Sequence, residues 1–363
     1  MKRFFLLWLI LIYPIQVLSW SAHNQLTQHA LAKVSWLDRW DQVTVTSFES
    51  FLKTTFSPTF TPKDFLDLYQ LNSKYQIAYK KKPGAWTSAK EILIHYSDEP
   101  DWGMDRDLNL SPDQKYMGGT QGPTSQAFRH LFLKKWTVTA PWRTFHIPLR
   151  ELGEAPERAQ LFFDLAQKAF EAKELYWTFR FLAWSLHYVQ DLNQPFHASQ
   201  LLTPRFVEWK DLTHFEKLIS RTTQNISNYH FLYEYYVEYR LTQNHELSKA
   251  LEGIDFFTSS SAYLLARHSA DHASHSSYTL GEASFHFFGE TYLSPDRNVA
   301  STPKDQWEMS KFDHPPYLTQ KEKKKFMTST KESLTKTGYF TRSLLELAKE
   351  EFLRKGRVPP SEK

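Results

Sequence analysis

Apolar positions recur every three to four residues along most of this chain. In HNQLTQHALAKVSWL, Leu26, Ala30, Leu31 and Val34 fall at helical spacing. TSFESFLKTTF and PKDFLDLYQLN read as short helices. Residues 159–192, AQLFFDLAQKAFEAKELYWTFRFLAWSLHYVQDL, hold one or two long helices that are apolar nearly all round. A helix without a polar face belongs in the middle of a domain. LYEYYVEYRLTQ, SSAYLLARHSADHA and YFTRSLLELAKEEFLRK complete the set. Strand-like alternation over five or more residues is hard to find. The pattern predicts an all-α fold, a single multi-helix domain of roughly nine to eleven helices. Residues 100–123 and 295–316, rich in Pro and polar residues, read as loops rather than domain boundaries. We therefore take 20–363 as one domain.

The first residues, MKRFFLLWLILIYPIQVLSW, change the picture. Lys2 and Arg3 precede a short apolar run, and Val17 and Ser19 suit a small-residue cleavage rule. Residues 1–19 read as a signal peptide, too short in its apolar part for a membrane span. Cleavage would leave Trp20 as the new N-terminus and export the protein, to a periplasm or beyond the cell. The chain of 363 residues has no cysteine, so export brings no disulfide framework and thiol chemistry is excluded. Charge is nearly balanced, at 44 Lys and Arg against 40 Asp and Glu, and the leader removes two of the bases. That balance predicts neither nucleic-acid nor membrane binding. The run Lys321 to Lys325, KEKKK, reads as a solvated loop or a helix start rather than a phosphate-binding patch.

Chemistry concentrates in LAWSLHYVQDLNQPFHASQ, residues 182–200. His187 and Asp191 are four apart, which puts them on one helical face, one turn from each other. Pro195 stops the helix and His197 follows the break. Three such groups can serve a metal, or His187 and Asp191 can be a buried hydrogen-bonded pair beside an unrelated histidine. NYHFLYEYYVEY repeats the spacing with His230 and Glu234, which also suits an ordinary helix pair. His130 sits between apolar residues in QAFRHLFL, with His146 as its rival. YSDEPDWGMD packs Asp98, Glu99, Asp101 and Asp105, acids that usually cap helices or stand in solvated turns. WSAHNQL brings His23 three residues after Trp20, with His29 as the fallback. A further stripe, His268, His272 and His275, reads as a polar face or an additional metal site.

Taken in order, these motifs resemble the zinc-dependent bacterial phospholipases C, whose helical fold is shared with the single-strand-specific zinc nucleases. WSLHYVQDLNQPFHA is similar to the LSLHYLGDxNQPxHA string those phospholipases carry. The resemblance runs through most of the mature chain but is loose outside the motifs. It implies three zinc ions. Asp101, His130, His187 and Asp191 would hold one. The amine and carbonyl of Trp20, with His23 and a bridging Asp191, would hold the second, and His197, His230 and Glu234 the third. It also implies phosphodiester hydrolysis by water, with Asp101 orienting or deprotonating that water. Glu234 in place of aspartate leans toward phospholipid as substrate, reached by transient contact with a membrane surface, in a monomer. Single-stranded nucleic acid cleavage and a purely structural zinc protein stay open. Trp102 offers a ring for a quaternary ammonium, for a base, or for the core. The segment 201–228 is longer than the resemblance allows and is expected to be an inserted element.

Overall fold

The computed structural model describes residues 22–106, 108, 125–140, 143–202, 204–206, 214–243, 245–302 and 304–354. The expected signal peptide and Trp20 lie outside them. The fold is mostly helical, as the apolar spacing predicts. The long apolar stretch is two helices, α6 (Ala155–Glu171) and α7 (Leu175–Asp191). They part at Lys173, which has φ 63°, and pack against each other along their length. Every residue of α7 after Leu175 is buried, including Trp177, Trp184 and Tyr188. Each large apolar side chain buried in this way contributes about 1.5–3 kcal/mol. Most apolar side chains of α7 belong to the larger apolar cluster, so this helix lies inside the core.

Shorter helices wrap one end of this pair: α1 (His23–Ala30), α2 (Phe48–Thr55), α3 (Pro62–Leu68) and α4 (Ala89–Tyr96). The starts of α3 and α4 are fixed by reciprocal capping boxes, Thr61 with Asp64 and Ser88 with Glu91. A single 3₁₀ turn, Glu99–Trp102, follows α4. After α5 (Ser125–His130) the chain departs from expectation. Strands β3 (Leu133–Ala140) and β4 (Arg143–Leu152) form an antiparallel hairpin, with Trp136 opposite Ile147. The β-branched and aromatic run WTVTA carries this strand, and its alternation is too short to stand out from helical spacing. Two-residue strands β1 (Val43–Thr44) and β2 (Trp86–Thr87) pair elsewhere. Strand β5 (Gln200–Leu202) joins β3 in parallel. At the base of the hairpin Gly153 has φ 109°, and a Cβ there would lie 1.9 Å from the Leu131 carbonyl oxygen, so only glycine fits.

Beyond α7 the chain makes one turn of helix, α8 (Pro195–Ala198), then α9 (Phe215–Gln243), α10 (His245–Leu251), α11 (Ala262–Phe288), α12 (Glu290–Leu293) and α13 (Gln320–Arg354). The KEKKK run lies in the first turns of α13, as the helix-start reading expects. A second apolar cluster, with Tyr233, Tyr236, Phe287 and Phe326, sits among α9, α11 and α13. Within the expected insertion 201–228, the described residues are the end of β5, a 3₁₀ turn (Pro204–Phe206) and the first half of α9; residues 203 and 207–213 lie outside them. Among the described residues no helix is long and apolar enough to cross a membrane.

Candidate metal centre

The C-terminal end of α7 presents His187 and Asp191 on one face, as their spacing requires, and both are fully buried. Asp191 is the hub. Its Oδ2 lies 2.9 Å from His130 Nδ1 and 3.2 Å from His187 Nε2. Its Oδ1 lies 3.4 Å from His23 Nε2 and 3.5 Å from His197 Nδ1. One carboxylate therefore faces histidines from α1, α5, α7 and α8. His23, His130, His197, His230 and Glu234 are as buried as the residues of α7, whereas the Asp101 side chain is 23 % exposed.

Three groups converge closely enough to hold a metal ion: His23, Asp101 and His187; His130, His187 and Asp191; and His197, His230 and Glu234. In the third, Glu234 lies 3.1 Å from His230 Nε2 and 3.4 Å from His197 Nε2, and the two imidazoles stack. Trp20 lies outside the described residues. Of the two rivals, His29 belongs to none of these groups, and His146 lies opposite Thr137 in the register of the hairpin.

Neighbouring groups set the ring orientations. His187 Nδ1 donates to the Ser97 carbonyl at 2.6 Å, which turns Nε2 toward Asp191. His197 Nδ1 donates to the His130 carbonyl at 2.9 Å, and Phe132 N–H donates back to the His197 carbonyl at 3.0 Å. The parallel pairing of β5 with β3 extends this lock between the two segments. His23 Nδ1 meets Gln190 Oε1 at 2.9 Å, while the Gln190 amide donates to Thr27 and Thr341. Gln190 Oε1 is thus the acceptor, and His23 keeps its Nε2 lone pair for the Asp191 side. An imidazole whose Nδ1–H is spent on an oxygen offers Nε2 as a ligand. His197 Nε2 is buried and faces Glu234 at 3.4 Å, the arrangement of two donors around one cation.

Two acids read from sequence as caps or solvated turns are buried instead. Asp105 accepts from Arg129 at 2.8 Å, Arg158 at 2.9 Å and Tyr188 at 2.5 Å, and its Oδ2 lies 3.3 Å from His130 Nε2. Burial opposes its charge, but the arginines hold the carboxyl below its usual range. Glu99 accepts from Arg180 Nε at 2.7 Å and Trp184 Nε1 at 2.6 Å, and Tyr75 also donates to it. The apolar spacing of α7 hid Arg180, and nothing local in YSDEPDW separates Glu99 from Asp98. Asp98 itself accepts from the Asn24 amide at 3.1 Å, beside His23. Asp101 accepts from Gln126 at 3.0 Å, and Gln126 in turn accepts from Arg106 at 2.8 Å. Neither Gln126 nor Arg106 carries a sequence signal.

Electrostatics match a site built for cations. Burial pushes Asp101 and Glu234 up to about 7. Burial also works to raise Asp191, but the charge of His187 and hydrogen bonds from three histidines hold it well below its usual range. His130 is raised to about 10 by Asp105 and Asp191, against the effect of burial. Trp102 is 42 % exposed, so the core reading of this ring is wrong; it makes a T-shaped contact with His95. The stripe on α11 does not converge: His268 meets Phe257, His272 meets Phe340, and His275 bonds the Asp271 carbonyl.

Asp105 gives a direct check. Asp105→Asn is expected to weaken metal binding by about 10–100-fold, because the carboxylate that backs His130 loses its charge. Competition with a chelating dye measures it, and unchanged affinity would leave Asp105 a purely structural residue. No protein-family model and no curated protein matches this chain.

Proposed function

We propose that this protein is an exported zinc-dependent phosphodiesterase of the phospholipase C type, acting on phospholipid. The observation that carries this reading is the Asp191 hub, whose two oxygens face separate histidines while His187 is shared between two of the groups. A carboxylate so placed suits a bridge between two ions. The donor set fits zinc, being imidazole and carboxylate with no thiolate. His130, His187, Asp191 and Asp101 would hold one ion, His23 and Asp191 a second with the Trp20 terminus, and His197, His230 and Glu234 a third.

Zinc in such a set supplies Lewis-acid charge for the phosphoryl oxygens and a source of hydroxide near neutral pH. The chain supplies the rest. Asp101, the exposed member, orients the attacking water and takes its proton, held in place by the Gln126 amide. Ser97, Gln190 and the His130 carbonyl fix three imidazoles before substrate arrives, so little reorganisation accompanies the reaction. Trp102 offers an exposed ring at the rim for a quaternary ammonium head group.

The test is hydrolysis of bis(p-nitrophenyl) phosphate with and without chelator, beside rates on phosphatidylcholine and single-stranded DNA. Expected are bound zinc, turnover lost on chelation, and a faster rate on phosphatidylcholine. Zinc without turnover on any of the three would make the metal structural, and a faster rate on DNA would make the enzyme a nuclease.

The raised carboxyls set a pH dependence for the metal-stripped protein. Asp101 and Glu234 hold protons more tightly folded than unfolded. Their contribution to stability is full below the unfolded value of about 4 and is lost as pH rises through about 7. A bound cation replaces those protons. The rise in Tm on adding zinc is therefore expected to grow from about pH 5.5 to about pH 7.5. Thermal melts across that range measure it, and a rise independent of pH would contradict the assignment of Asp101 and Glu234 as ligands.

A further inference from the structure

The group of His197, His230 and Glu234 is assembled from two segments that meet only in the fold. His197 stands in α8, just past the Pro195 break, whereas His230 and Glu234 lie on α9. Gln194, the residue before that proline, touches both. Its side-chain nitrogen donates to Glu234 Oε1 at 3.2 Å and lies 3.3 Å from His230 Nδ1. Its side-chain oxygen accepts from the Phe196 N–H and so caps α8. Its backbone joins the same turn to the hub. The Gln194 N–H donates to the Asp191 carbonyl and its carbonyl accepts from the His197 N–H, each at 2.9 Å.

Both ends of the side-chain amide are therefore used, and they are not interchangeable. Turning the amide over would set its nitrogen against the Phe196 N–H and its oxygen against Glu234, two donors together and two acceptors together. Gln194, His197, His230 and Glu234 are each no more than 1 % exposed, so water cannot replace either bond. The oxygen alone suffices to cap α8. The nitrogen serves no helix or strand, and what it fixes is the carboxylate that faces His230 at 3.1 Å and His197 at 3.4 Å. No side-chain bond of Gln194 among the described residues reaches a ligand of the other two groups.

We propose that Gln194 is a positioning residue for the group of His197, His230 and Glu234. Its buried amide ties Glu234 on α9 to the turn that carries His197, so that all three reach one cation. The proposal rests on the reading of that group as a cation site.

Equilibrium dialysis of the full chain against buffered free zinc, read by atomic emission, tests it. Four proteins are compared: the parent, Gln194→Met, Glu234→Ala and the double variant. Glu234→Ala is expected to remove one class of zinc site from the binding curve. Gln194→Met keeps the length of the side chain but neither polar end, and is expected to weaken that class alone by about tenfold or more. Beside Glu234→Ala it is expected to change nothing further, a result that a merely structural role would not give. Parent-like binding by Gln194→Met overturns the proposal, and so does a loss shared by every class of site or one that persists beside Glu234→Ala. A curve left unchanged by Glu234→Ala instead removes the reading of the group as a cation site, and the proposal with it. Circular dichroism checks folding. If Gln194→Met does not fold, Gln194→Asn takes its place, since it keeps the amide but is too short to reach Phe196 and Glu234 together. Failure of both to fold makes Gln194 a residue of the fold and overturns the proposal.

Discussion

Replacing Asp191 by asparagine is expected to cost more than about 100-fold in metal affinity and to lower phosphodiester hydrolysis by at least as much. The reason is its position. Four histidines from four segments lie within 3.5 Å of its two oxygens, with no other carboxylate so placed among the described residues. Asparagine keeps the volume and one acceptor oxygen but removes the charge that two ions would share. The side chain is completely buried, so solvent cannot compensate. Zinc titration against a competing chelator and rates on bis(p-nitrophenyl) phosphate measure both effects. A variant that binds zinc and turns over like the parent would remove Asp191 from the centre and with it the proposed function.

Arg180→Met is expected to destabilise the fold by about 3–5 kcal/mol, the cost of leaving one partner of a buried ion pair alone. Arg180 and Glu99 are both fully buried, and the guanidinium also stacks over Tyr96 with its carbon 3.9 Å from the ring centroid. Methionine fills much of the space but leaves the Glu99 carboxylate without its cation. Glu99 begins the turn that carries Asp101, so local loosening should also lower activity. Urea unfolding gives the stability change, and adding Glu99→Gln to Arg180→Met is expected to recover a substantial part of it. A loss of less than about 1 kcal/mol in the single variant would mean that the pair is dispensable to the fold.

These two residues mark the limits of sequence reading. Asp191 stood out because His187 precedes it by one helical turn, and a local period is enough to place both on one face. His230 and Glu234 were legible for the same reason. Glu99 and Arg180 lie 81 positions apart, each in a setting that local pattern describes otherwise, so their pairing was invisible. Asp105 belongs with them: its cluster of acids reads as a solvated turn until Arg129, Arg158 and Tyr188 close over it. The hairpin 133–152 was missed because its strand alternation is brief and no partner strand can be seen from one segment.

The sequence by itself determined the helical class, the burial of α7 and the one-face placement of His187 with Asp191 and of His230 with Glu234, because periodicity and residue chemistry act over one or two turns. Tertiary structure decided which oxygen of Asp191 faces which histidine, and which nitrogen each imidazole keeps free. It also decided which acids are buried. Each of these depends on contacts between segments far apart in the chain, and such contacts exist only once the helices have packed.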